Sequence, residues 1–159
     1  MKSSNLNQLI PQAMEAVRSS RMNEYIKTEG KDKGKTFKEI PSAMKGYIPA
    51  MGASIKQSGV LPTLAFYAND SGKEADSKKL LAAILSLISS QKERQNLDPT
   101  VEVPLVNYVI TRCKISNTDR TQLGADNLNP FELNIVTKEI LQALVALKLA
   151  VRTFKIEEK

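Results

Sequence analysis

The chain has 159 residues, 42% of them hydrophobic, which suits one domain with a core of its own. It contains no histidine and a single cysteine, Cys113, which excludes imidazole-based catalysis, an internal disulfide and a cysteine-held metal or iron–sulfur cluster. The formal net charge of +6 at pH 7 favours polyanionic partners.

That charge is concentrated. Between Arg18 and Lys56 nine basic residues face only Glu24, Glu29, Asp32 and Glu39, an excess of +5 in one quarter of the chain. Taken alone, such a run is a solvated face; taken with a suitable fold, it is the footprint of a nucleic-acid surface. No basic-then-apolar leader opens the chain. The longest apolar stretch, Ile140 to Val151, is interrupted by Gln142 and Lys148 and is too short for a bilayer. A soluble, cytoplasmic, single-domain protein spanning residues 1–159 is expected.

Leu6, Leu9, Ile10, Met14, Val17, Met22, Tyr25 and Ile26 recur at roughly helical spacing and predict a first amphipathic helix. Pro11 requires that helix to begin near Asn7 or later. Lys27 to Lys35 alternates lysine with glycine and acid, and reads as a mobile basic loop. Thr36-Phe37-Lys38-Glu39 has the form of a capping box, so a second helix is expected to open at Thr36. Ile40, Met44, Tyr47, Ile48, Met51 and Ile55 give it one apolar face, with a kink or break at Pro49 and Gly52. Gly59 suits the left-handed residue that ends it.

A short helix from about Leu61 to Ala68 follows, with Pro62 in its first turn. After the polar loop Asn69-Asp70-Ser71-Gly72, the residues Leu80, Leu81, Ile84, Leu85, Leu87 and Ile88 mark a fourth helix. Glu93 to Pro104 reads as a linker. Leu105 to Cys113 is a fifth, shorter helix, and Ile115 to Asn129 is irregular. Asn129-Pro130-Phe131-Glu132 combines a cap, proline at N1 and glutamate at N3, and so starts the last helix. That helix is apolar on more than one face, which requires either a central position or a partner. The fold class is all-α, a single-domain bundle of about six helices. Its expected core holds Ile48, Met51, Ile55, Leu64, Phe66, Leu81, Ile84, Leu85, Ile88, Leu144 and Leu147.

No set of carboxylates is spaced for a two-metal site, and no catalytic residue, cofactor or metal site is assigned. Gly30-Lys31-Asp32-Lys33-Gly34-Lys35-Thr36 imitates a phosphate-binding loop, but only three residues separate its glycines and a helix precedes it where a strand is needed. The segment is read as a basic loop.

The run Lys56-Gln57-Ser58-Gly59-Val60 and the following Leu64-Ala65-Phe66 resemble the signature of the small helical subunit of the Cmr-type (type III-B) CRISPR effector complex. In that family a helix ending in a basic residue and an amide meets Gly-Leu, then a Leu-Ala-Phe segment; Val60 stands here where Leu is usual. Near the C-terminus the family shows Thr-x-Glu, apolar residues, an aromatic and Lys-Arg. Thr137, Glu139 and Lys148 match, whereas Ala146 replaces the Trp and Leu149 the second basic residue. Those departures shift basic function to Arg152 and Lys155. The likeness is weakest over residues 93 to 130.

The resemblance implies a non-catalytic protein of antiviral defence whose partners are other subunits of the complex, including the backbone subunit and further copies of itself. Stacked copies would form an inner filament, with basic faces along the guide RNA/target RNA duplex. The candidate RNA-contacting residues are Arg18, Arg21, Lys31, Lys33, Lys35, Lys45, Lys56, Lys148 and Arg152. Lys45, Lys56, Lys148 and Arg18 are expected on one shared face, and Leu149 and Val151 at a partner interface. Two other classes stay open on the residues alone. A basic adaptor for an acidic protein would show a shallow salt dependence, and an enzyme with a Lys–carboxylate site would show a deep apolar pocket.

Overall fold

Leu9, Ala13, Ala16 and Val17 repeat at intervals of four, three and one, and this stripe buries one face of α1 (Leu6–Ser19). The structure, a computed structural model, describes residues 6–69, 75–114 and 128–158. Helix α1 begins at Leu6 and continues through Pro11. Pro11 and Asn7 are both exposed, so water can take the Asn7 carbonyl that the proline leaves unpaired. At its other end Met22 N–H donates to the Val17 carbonyl and Arg21 N–H to that of Arg18. This is a Schellman turn, with Arg21 in the left-handed position at φ 63° and Met22 and Val17 both buried.

The helix start expected at Thr36 is not formed. Tyr25–Ile26 (β1) and Thr36–Phe37 (β2) form a two-stranded antiparallel hairpin, so Thr36 lies in a strand and opens no helix. The Tyr25 and Phe37 rings stack at 5.5 Å, and Glu39 accepts from the Tyr25 hydroxyl in place of closing a capping box. A helix starting at Thr36 would also have carried Pro41 in its interior. Helix α2 (Ser42–Ser58) instead begins directly after Pro41. It runs unbroken through Pro49 and Gly52 and buries Met44, Ile48, Met51 and Ile55.

Gly59 alone separates α2 from α3 (Val60–Tyr67). Its backbone, at φ 95° and ψ 164°, lies outside the left-handed helical region and in one that only glycine occupies readily. The elbow is fixed by the buried Thr63, whose hydroxyl donates to the Gly59 carbonyl (2.8 Å) and lies 2.9 Å from the Ser54 hydroxyl. Helix α4 (Ser77–Ile88) is capped by Asp76. A complete Ser90–Glu93 capping box starts the short α5 (Gln91–Gln95), which reaches into the expected linker, so seven helices are present among the described residues. Helices α6 (Pro104–Cys113) and α7 (Pro130–Val151) complete the set, with Asn129 accepting from the Phe131 and Glu132 amides at 2.9 and 3.2 Å. Most of the expected irregular stretch (115–127) and of the polar loop (70–72) falls outside the described residues.

The fold is all-α apart from the hairpin. Helix α7 is its axis, packed against α1, α2, α4 and α6, which is why it is apolar on several faces. Val151 is accordingly buried at 2% exposure and serves the core, correcting its assignment to a partner surface; Leu149 is half-buried. Phe66 is also corrected. It is 74% exposed, because an eight-residue helix buries only the side carrying Val60, Thr63 and Leu64, and two residues beyond Leu64 points away. The other ten expected core residues are buried. Among the described residues no helix is long and apolar enough to cross a membrane.

Candidate nucleic-acid interface

Two helical stripes of the same spacing face one another. On α2, Lys45, Pro49, Gly52 and Lys56 fall at offsets of 0, 4, 7 and 11, and on α7 Leu141, Val145 and Lys148, with Arg152 at its C-cap, do the same. Between the helices lies a groove of about 390 Å³, lined by Ile48, Pro49, Gly52, Ala53 and Lys56 of α2 and Leu141, Leu144, Val145 and Lys148 of α7. Small residues on α2 open it. A Cβ placed on Gly52 would meet nothing within 4 Å. A backbone bridge between Ile40 and Ile156 ties the start of α2 to the chain just beyond α7, so the two helices run in opposite directions. Lys56 and Lys148, distant in sequence, thus share one surface with an apolar floor.

The electrostatics are one-sided. Helix α2 carries no acidic residue, and Glu139 and Glu132 of α7 are both engaged by Arg112 of α6. Lys45, Lys56, Lys148 and Arg152 are exposed and form no ion pair among the described residues. Lys138, one turn before Leu141 on the same face, is likewise exposed and unpaired. Sequence reasoning missed it, although its spacing of three from Leu141 was readable.

The remaining candidates sort differently. Lys31 and Lys33 are exposed and unpaired in the turn of the hairpin, while Lys35 pairs with Asp32 at 3.3 Å. Arg18 pairs with Glu15 at 3.4 Å and stacks over the Phe154 ring at 5.4 Å, and Arg21 pairs with Glu24 at 3.8 Å. Lys45 is in phase with Lys56, as expected of a shared face; Arg18 belongs to α1 and does not line the groove. Lys155 approaches Glu39 at 3.8 Å.

A family model described as CRISPR-associated protein (Cas_Cmr5) matches residues 7–154, nearly the whole chain. The chain belongs to the CRISPR-associated Cmr5 family. Membership makes it a subunit of a Cmr complex. Comparison with curated proteins and with solved structures returns no match.

The residues that carried the resemblance to this family now have separate roles. Lys56 and Gln57 are exposed at the end of α2, Gly59 forms the elbow and Leu64 is core, while Ala65 and Phe66 face outward. Thr137 returns its hydroxyl to the Leu133 carbonyl, and Glu139 takes a two-pronged bond from Arg112 at 2.6 and 2.9 Å. Glu139 therefore ties α6 to α7, Thr137 bonds within its own helix, and only Lys148 of the C-terminal pattern faces the groove. Ala146, where the family pattern has Trp, is fully buried. Among the described residues no group of three or more Asp, Glu or Cys side chains gathers to hold a metal.

Proposed function

We propose that this Cmr subunit is a non-catalytic, cytoplasmic component of an RNA-guided, RNA-targeting effector complex, and that its α2–α7 groove runs along an RNA backbone. The observation that carries the reading is that Lys56 and Lys148 line one groove, neither in an ion pair among the described residues, with Lys45 and Arg152 in phase on the same two stripes. Exposed cations without acidic partners attract phosphates and release their counterions, a contact that needs no base recognition. Few aromatic residues are available for stacking, so sequence preference is not expected. Leu149, half-buried beside Lys148, is the position on α7 that a neighbouring copy or the backbone subunit would cover.

The test is the salt dependence of RNA binding by the purified subunit. Lys56→Glu combined with Lys148→Glu should lower affinity for a single-stranded oligonucleotide and flatten the slope of log affinity against log salt by about two. An unchanged slope would place the phosphates elsewhere. A shallow slope in the unaltered protein would favour an acidic protein as the partner of this groove.

A further inference from the structure

The chain beyond α7 turns back beside the segment that leads into α2. Ile40 N–H donates to the Lys155 carbonyl at 2.7 Å, and Glu157 N–H donates to the Ile40 carbonyl at 2.8 Å. This carries the Glu157 side chain, only 8% exposed, between the hairpin and the first residue of α2. Its two oxygens serve different elements. Oε2 accepts from the Tyr25 hydroxyl at 3.1 Å and the Lys27 ammonium at 3.3 Å. Oε1 accepts from the Ser42 N–H at 3.0 Å and the Ser42 hydroxyl at 3.2 Å. Pro41, at the N-cap, has no side-chain oxygen to offer, so Glu157, 115 positions beyond Ser42, supplies the missing acceptor.

The hairpin needs such an anchor. Its two strands contribute two residues each, and an isolated two-stranded hairpin is marginal in water. Its turn carries Lys31 and Lys33, whose charges have no partner among the described residues. Glu157 fastens β1 to the same end of α2 from which the groove stripe begins at Lys45.

We propose that Glu157 is a positioning residue, holding the basic hairpin in fixed relation to the α2–α7 groove so that Lys31 and Lys33 prolong one RNA-backbone track. This rests on the RNA-binding reading of the groove. Charge-assisted bonds to Lys27 and to a helix N-terminus are the strong kind, and they persist here because the carboxylate is shielded from water.

Glu157→Gln is the discriminating variant. An amide keeps one oxygen for Ser42 and turns an NH2 toward Lys27, so the hairpin side of the junction is lost selectively. Removing a negative charge from a basic protein would, by long-range electrostatics alone, tighten RNA binding. Positioning predicts the opposite sign. In the full chain, with its helical circular dichroism intact, E157Q should speed hydrogen exchange at the Lys27 and Gly34 amides, which bond across the hairpin turn, and leave α7 amides unchanged. Affinity for an oligouridylate should fall by about fivefold, and that loss should vanish in a background carrying Lys31→Ala and Lys33→Ala.

Tyr25→Phe, which loses a hairpin contact without changing charge, should move both readouts in the same direction. Unchanged or tighter RNA binding by E157Q overturns the proposal, as does equal weakening with and without Lys31 and Lys33, which would mean action through the fold. If the unaltered protein binds no oligouridylate, the RNA reading itself falls and the track with it. The exchange rates then still decide whether Glu157 orders the hairpin.

Discussion

Gly59 illustrates how much a single backbone position decides. A Cβ there would meet only the Pro62 Cδ at 3.8 Å, an ordinary contact, so space is not the issue. The cost lies in φ 95° with ψ 164°, and Gly59→Ala should destabilise the protein by about 1–3 kcal/mol, read from the urea midpoint. Phe66 gives the converse case. Being 74% exposed, Phe66→Ala should change stability by no more than about 0.5 kcal/mol, whereas Leu64→Ala, fully buried two residues away, should cost about 2–5 kcal/mol. Equal losses at the two sites would mean that Phe66 is packed after all. Both residues sit in the Leu-Ala-Phe segment that carried the resemblance, and the sequence pattern does not separate them. Burial is set by which neighbours a short helix meets, and that is not written in eight residues.

At the scale of elements, α7 and its groove make opposite demands on neighbouring apolar positions. Val151 is 2% exposed at the end of α7, so Val151→Glu would bury an unpaired carboxylate and should abolish the helical circular dichroism signal of the monomer. Val145 is 50% exposed on the groove wall. Val145→Glu should leave the dichroism unchanged while placing a negative charge in the groove that also holds Lys56 and Lys148, and RNA affinity should fall. A folded Val151→Glu would return that residue to a partner surface. The existence of this central helix was legible from its cap, Asn129-Pro130-Phe131-Glu132, and from its surplus of apolar residues. Its role was not, because a helix at the axis of a bundle and one that docks on a partner carry the same pattern.

For the molecule as a whole, acid sensitivity should report the junction of hairpin, α2 and C-terminal tail. The Ser42 N–H and hydroxyl, the Tyr25 hydroxyl and the Lys27 ammonium together pull the Glu157 carboxyl from its ordinary value of 4.5 down to about 2, against the opposing effect of burial. A folded-state value below the unfolded one stabilises the protein above pH 4.5, and this contribution is lost as pH falls from 4.5 toward 2. Thermal midpoints measured across that window should therefore drop more steeply for the unaltered protein than for Glu157→Gln. Parallel curves would show that the carboxylate is not held ionised by these contacts.

The sequence by itself determined what is local or compositional: the helical class, the cap at Asn129, the concentration of positive charge and the lack of histidine. Capping boxes and apolar periodicity act within one or two turns, and so they are complete on the page. They also misled at Thr36, where a nearby strand partner and Pro41 outweighed a well-formed capping box. Only the tertiary structure decided which cations are free. Arg18, Arg21 and Lys35 are taken by Glu15, Glu24 and Asp32, while Lys56 and Lys148 line a single groove built from segments far apart in the chain. The charge of a side chain is fixed by its identity, but its availability depends on what the folded chain places beside it.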